Sequence, residues 1–211
     1  MPKILNSERR TPVQPRARRT IADLFEATAQ LLETAAPERL TTNHVAARAG
    51  YSIGTLYRYF PSKWALLRAM ASQEIHSQQA KALAAIEAMT SPVRTEAIVR
   101  ILIHAALRPF AGRYRVHAGV MRLLATNSSP LLIEDVPAVV LSERMKVAMF
   151  AAPSGVWLNF SNEKQFTMIH AVIGTVEAAL RSQPELVASR DFEDQLVGLV
   201  LHFLNADERC N

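Results

Sequence analysis

Histidine and cysteine do much of the chemistry that proteins carry out near neutral pH, and this chain spreads them thinly. His44, His76, His104, His117, His170 and His202 are scattered, and the single cysteine, Cys210, is the penultimate residue. Catalytic bases, nucleophiles and metal ligands must converge. Yet there is no His-Glu-x-x-His, no Cys-x-x-Cys and no Gly-x-Ser-x-Gly, and seven glycines leave little room for a phosphate-cradling loop. The expectation is no catalytic residue, no metal, no cofactor and no enzyme. A lone thiol cannot close an intramolecular bridge, so Cys210 reads as an inert tail residue and the compartment as a reducing cytoplasm.

Polar, hydroxyl and cationic side chains crowd instead into one stretch, Thr41-Thr42-Asn43-His44-Val45-Ala46-Ala47-Arg48-Ala49-Gly50-Tyr51-Ser52-Ile53-Gly54-Thr55-Leu56-Tyr57-Arg58-Tyr59-Phe60-Pro61-Ser62-Lys63. Thr41 or Thr42 can cap a short helix by accepting from a free N–H of its first turn. Gly50 sits where that helix must stop with positive φ, and Ser52 supplies a second cap. Helix, glycine-containing turn and capped helix is the grammar of a helix-turn-helix. On the second helix Leu56 and Phe60 point inward, onto Val45 and Phe25, and Gly54, Thr55, Arg58 and Tyr59 face out. Eight residues make about 12 Å of helix, comparable to the width of the DNA major groove. Gly54 would let backbone approach the duplex closely. Tyr57 and Tyr59 can each hydrogen-bond a phosphate while packing a ring on sugar.

Lys63 follows the cap Ser62 at the first position of a further helix, where a cation opposes the helix dipole by about 0.3–1 kcal/mol. A phosphate reverses that sign, because ammonium, free N–H groups and dipole all attract it. Charge along the chain agrees. Residues 1–70 hold 11 basic against 5 acidic residues, and residues 71–211 hold 13 against 14, so the whole excess of the +5 chain lies in its first third. Such a block suits a polyanion or a solvated basic tail, and charge alone does not separate the two.

At these residues the sequence resembles the TetR family of regulators, from about Arg16 to Met70. The core of the match is Ala46-Ala47-Arg48-Ala49-Gly50 followed by Gly54-Thr55-Leu56-Tyr57-Arg58-Tyr59-Phe60-Pro61-Ser62-Lys63. The resemblance implies a three-helix DNA-binding domain joined to an all-helical ligand-binding and dimerisation domain. It implies base-facing roles for Asn43, Ile53 and Gly54 and phosphate contacts for Thr42, Ser52, Thr55, Tyr57, Tyr59 and Lys63. Tyr51 departs from the small aliphatic residue usual in the family. Because Ile53 and Gly54 offer no side-chain hydrogen bonds, specificity leans on Asn43, Arg58, thymine methyl contacts and DNA shape.

The elements that must position these residues read as all-α. Residues 1–15 hold three prolines and no periodicity, an expected disordered basic arm. Ile21, Leu24, Phe25, Thr28, Leu31 and Leu32 then mark one helix face over 16–36. Helices are predicted at 42–49, 53–60, 63–89, 92–108, 113–126, 132–150, 163–182 and 189–206, with no alternating strand pattern. The DNA-binding domain is expected at 16–62 and the effector and dimerisation domain at 63–211. Arg16, Arg18 and Arg19, at the start of the first helix, are expected beside the DNA backbone. No run of about 18 apolar residues is free of charge, and no signal peptide precedes the arm, so no membrane is expected.

Beyond residue 90 the side chains are less diagnostic. Phe166, Ile169, Ile173, Val176 and Leu180, with Phe192, Leu196, Leu199, Val200 and Phe203, form two broad apolar faces. These read as core or, by the resemblance, as the four-helix interface of a homodimer. His104, Phe110, Tyr114, His117, Met121, Trp157 and His170 are candidate walls of a small-molecule pocket. Arg108, Arg113, Arg115 and Arg122 are either contacts for an anionic effector or a solvated face. The reading is a repressor that binds double-stranded, palindromic operator DNA as a dimer and is released by a small effector. The alternative is an effector-independent regulator or activator.

Overall fold

The computed structural model describes residues 15–89, 94–108, 112–126 and 161–205. Among these every regular element is a helix: α1 (Pro15–Thr34), α2 (Thr42–Ala49), α3 (Ile53–Tyr59), α4 (Lys63–Glu87), α5 (Thr95–Leu107), α6 (Tyr114–Thr126), α7 (Asn162–Ser182) and α8 (Arg190–Asn205), with short 3-10 turns at Pro37–Arg39 and Pro184–Ala188. The helix expected at 132–150, most of the arm, Phe110, Trp157 and Cys210 lie outside the described residues. Pro15, assigned to the arm, instead opens α1. Proline suits a first helical position, where its missing N–H would have no partner in any case.

Side-chain packing forms two cores. The first gathers Leu24, Phe25 and Leu32 of α1, Val45 and Ala46 of α2, Leu56 of α3, Phe60, and Leu66, Leu67, Met70 and Ala71 of α4. The second gathers Ile98, Val99, Ile103 and Leu107 of α5 with Ile169, Val176 and Leu180 of α7 and Leu196, Val197 and Val200 of α8. Two helices belong to both. α4 starts in the first core and ends in the second through Ala82 and Ile86. α6 buries Val116, Val120, Leu123 and Leu124 in the first core and packs Tyr114, Ala118 and Met121 against the second. α4 and α6 thus join the two cores. Thr28, counted with the apolar face of α1, is fully buried and donates its hydroxyl to Leu24 O at 2.8 Å, which satisfies it locally.

Candidate nucleic-acid interface

Local chemistry builds the helix-turn-helix. Thr41 caps α2, its Oγ1 accepting from His44 N–H at 3.2 Å. Gly50 ends α2 with φ 75°, while Gly50 N–H donates to Ala47 O and Tyr51 N–H to Ala46 O. That pair of bonds is a Schellman closure, and its left-handed residue favours glycine. Tyr51 does not disturb the turn. Its hydroxyl donates to Asp23 Oδ2 at 2.7 Å and ties the turn to α1. Ser52 Oγ accepts from Thr55 N–H at 3.1 Å and Ser62 Oγ from Ala65 N–H at 3.1 Å, so α3 and α4 are both capped. Leu56 is fully buried, and the Phe60 ring lies 5.6 Å from Phe25. These anchors set which face of α3 remains outside.

That face carries Ile53 (37% exposed), Tyr57 (48% exposed), Gly54 and Arg58. Ile53 and Tyr57 are two of the four large hydrophobic side chains left exposed among the described residues. A Cβ built on Gly54 would meet only Ser52 Oγ, at 3.9 Å, so nothing inside the protein requires a glycine there. Asn43 and Ser52 are exposed beside this face. Because Thr41 makes the cap, Thr42 is free to bond Tyr57, hydroxyl to hydroxyl, at 3.1 Å. The pair locks α3 against the start of α2 and presents two hydroxyls together.

Two side chains, Tyr59 and Thr55, sit differently from the sequence expectation, and Lys63 is held in place by its neighbours. Tyr59 is half-buried rather than outward, its ring centroid 6.5 Å from that of Phe60 and covered by the Arg58 guanidinium at 5.3 Å. Thr55 is also half-buried, with Oγ1 2.9 Å from Ser52 Oγ. Lys63 does not extend freely. Its ammonium donates to Leu40 O at 3.2 Å and lies 4.7 Å from the Trp64 ring, which holds the charge near the first turn of α4. Arg16, Arg18 and Arg19 are exposed on the first turns of α1, whose first turn holds no acidic residue. Cations at the positive end of a helix are unfavourable unless an anion approaches, the same condition that applies at Lys63.

The proposed pocket walls separate. Tyr114, His117 and Met121 share one side of α6, and His117 is buried deeply enough that its imidazole is pushed down to about 4. His104 is exposed instead, its Nδ1 3.3 Å from the buried carboxylate of Glu193. His170 stacks on the exposed Phe166 with 3.8 Å between ring centres, and its Nδ1 lies 2.8 Å from Phe166 O. The basic cluster is likewise engaged. Arg113 is paired with Glu26 and Glu33, Arg122 with Glu38, and Arg108 with Glu193, while Arg115 is exposed. Paired guanidinium groups are poor receptors for a free anion.

The expected dimer faces divide too. Ile169, Val176, Leu180, Leu196 and Val200 are buried in the chain's own second core. Ile173 and Phe192 are half-buried against that core, and Phe203 is half-buried. Phe166 (61% exposed) and Leu199 (48% exposed) remain outside. On the same helices Gly174 and Gly198 are exposed, and a Cβ added at either would have nothing within 4 Å. Among the described residues no three histidine, cysteine, aspartate or glutamate side chains could hold a metal ion, and no helix is long and apolar enough to cross a membrane.

Residues 24–70 match the family model described as bacterial regulatory proteins, tetR family. No curated protein matches the chain. Among solved structures it is similar to a TetR transcriptional regulator from Rhodococcus sp. RHA1, at 20% identity and TM-score 0.59 over 90% of this chain and 97% of that one. It is also similar to the fatty acid degradation regulator FadR from Bacillus halodurans, at 16% identity and TM-score 0.64 over 88% and 94%. A third is the TetR-like regulator LfrR from Mycobacterium smegmatis in complex with proflavine, at 18% identity and TM-score 0.50 over 90% and 96%. These likenesses establish the fold, and the family points to a regulator rather than an enzyme. Residues 24–70 therefore carry the helix-turn-helix of bacterial regulatory proteins of the tetR family, and the described residues share the all-α fold of the solved regulators.

Proposed function

We propose that this regulator is a homodimeric repressor that binds a near-palindromic operator and releases it when a small molecule occupies the C-terminal domain. The observation that carries the DNA reading is the outer face of α3. An exposed isoleucine, an exposed tyrosine and an open glycine backbone lie together on one face of α3, and Lys63 with the exposed arginines of α1 adds positive charge to the same three-helix unit. A surface selected only for solvation has no use for the first three. Ile53 and the Gly54 backbone suit base edges and thymine methyl groups, Asn43 and Arg58 suit base hydrogen bonds, and Thr42, Ser52, Tyr57, Lys63 and the arginines suit phosphates. Thr55 and Tyr59 support that face from beneath.

Dimerisation is supported by the outer sides of α7 and α8. Exposed glycines permit close helix approach, and Phe166 and Leu199 supply apolar area beside them. A two-fold dimer would present two copies of α3 to half-sites about 34–36 Å apart, one turn of duplex. Effector control is supported by the likeness to LfrR, solved in complex with proflavine, and Tyr114, His117 and Met121 on one side of α6 are the side chains proposed to meet a ligand. Residues 16–62 would serve binding and 63–211 sensing and assembly, with the arm adding phosphate contacts. The test is selection of DNA fragments by the purified protein, followed by a ligand screen for their release. Enrichment of an inverted repeat, and its loss with a ligand, is the expected result. Recovery of unrelated fragments would overturn the reading.

A further inference from the structure

α6 meets the DNA-binding domain along one side, and that seam has a polar fastening at its start. Arg113 immediately precedes α6. Its Nε and Nη2 each donate to Glu33 of α1 at 2.7 Å, one to each carboxylate oxygen, while Nη1 donates to Glu26 Oε2 at 3.0 Å. One guanidinium therefore holds two carboxylates that sit seven residues apart on α1. The hydrogen bonds continue across the surface of α1. Glu26 Oε1 accepts from Gln30 Nε2 at 3.0 Å, and Gln30 Oε1 accepts from Arg48 Nε of α2 at 2.9 Å. An unbroken chain thus runs from the start of α6, across α1, to the helix that precedes the recognition turn. Further along the seam, a Cβ at Gly119 would come within 3.1 Å of Leu32 and 3.4 Å of Pro37, and Arg122 pairs with Glu38 at 2.8 Å.

Adhesion of α6 to α1 does not depend on Arg113, because Val116, Val120, Leu123 and Leu124 are buried there. Apolar packing is non-directional, however, and tolerates sliding of one helix along another. A forked guanidinium bonded to two carboxylates of one helix favours a single register instead. We infer that Arg113 is a positioning residue for operator recognition: its grip on Glu26 and Glu33 sets the angle of the DNA-binding domain on the C-terminal core, and so the separation of the two α3 helices in a dimer. The inference rests on the dimeric, operator-binding reading above. Arg113 touches no DNA in that reading, so it should govern how well two half-sites are matched together and leave the contact with each alone.

The test compares the full-length protein with R113Q, R113K and the double variant E26Q/E33Q, using a half-site duplex, the full inverted repeat, and repeats whose centre is lengthened by one or two base pairs. Half-site affinity should stay within about twofold, while full-site affinity falls about tenfold and the preference for one spacing flattens. R113K should rescue little, because an ammonium keeps the charge and loses the fork. E26Q/E33Q should reproduce R113Q, and the combination of all three should be no worse than either. Equal losses on half and full sites, or an unchanged spacing profile, would overturn the inference. A second measurement needs neither DNA nor a dimer: the intrachain distance between spin labels at A47C and E185C in a C210S background, diluted with unlabelled protein. R113Q should shift or broaden it, and an unchanged distribution would also overturn the inference. A wild-type protein with no preference for full over half sites would instead overturn the dimeric reading on which it rests.

Discussion

His117 makes the fold's acid stability predictable. Its imidazole is buried in α6 and held down to about 4, against an ordinary value of about 6.5 in an unfolded chain. The folded-state value is the depressed one, so the native protein refuses a proton that the unfolded chain accepts. The native state therefore has its full advantage above about pH 6.5 and loses it as pH falls toward 4. At about 1.36 kcal/mol per unit, the loss approaches about 3 kcal/mol at pH 4 and is about 2 kcal/mol by pH 5. Glutamine at this position keeps a polar side chain of similar length and cannot titrate. Urea unfolding of wild type and His117→Gln at pH 7.5, 6 and 5, at one fixed protein concentration, isolates the effect because the carboxylates common to both cancel. The difference between the two proteins should shift toward the variant by about 2 kcal/mol between pH 7.5 and 5. A difference that stays constant across that range would mean that His117 is solvated or charged in the native state, and the reasoning would fail.

Gly54→Ala should leave unfolding stability unchanged or raised by up to about 1 kcal/mol, since helices prefer alanine and the site is open, yet should weaken DNA binding measured by fluorescence anisotropy. Retained affinity would mean that the backbone at Gly54 does not approach the duplex. Gly174→Ala and Gly198→Ala separate a free surface from an assembled one: on a free helix each stabilises by about 0.5–1 kcal/mol, whereas between close-packed helices each weakens the dimer in sedimentation equilibrium. Stabilisation without a change in association would remove these helices from the interface. Replacing Arg16, Arg18 and Arg19 together by alanine should lower affinity for specific and random duplexes alike and reduce the slope of log affinity against log salt by up to about 3; an unchanged slope would mean that α1 begins away from the phosphates. R113Q should lose less stability than wild type when pH falls below about 4.5, because the Arg113 guanidinium is what holds Glu26 and Glu33 below the usual carboxylate range; parallel acid-unfolding curves would contradict that.

What could be read directly from the residues was the part whose determinants lie close together in the chain. Thr41, Gly50, Ser52 and Ser62 act on backbone groups within five residues of themselves, so caps and turns follow from local order. The inward placement of Leu56 and Phe60 follows from helical period. Period identifies a face, though, and not what covers it. The apolar stripes of α7 and α8 are wide, and most of their width is taken by the chain's own core, with Ile173, Phe192 and Phe203 half-buried and Phe166 and Leu199 exposed. The exposure of His104 and the stacking of His170 on Phe166 were hidden for the same reason, since an amphipathic helix places a histidine on a face without saying whether that face is roofed.

Long-range ion pairs were the least legible feature, because Arg113 finds Glu26 and Glu33 across 87 and 80 residues. One signal did exist. Glu26, Gln30 and Glu33 recur at helical spacing on α1, a polar stripe beside the apolar one, and a stripe of that kind on a helix packed by others calls for a cationic partner. Its existence separates two kinds of information in the protein. Most side chains that would touch DNA are set by caps and turns inside residues 41–63, while Tyr51, Phe60 and Arg48 seat that segment on α1. The placement of that segment on the rest of the molecule depends on α4 and α6, the two helices shared by both cores, and on the Arg113 grip. A ligand acting among Tyr114, His117 and Met121 need not distort the recognition surface to abolish binding. It need only favour a different seat for α6 on α1, and the largest effect it can have is set by its difference in affinity for the two seats.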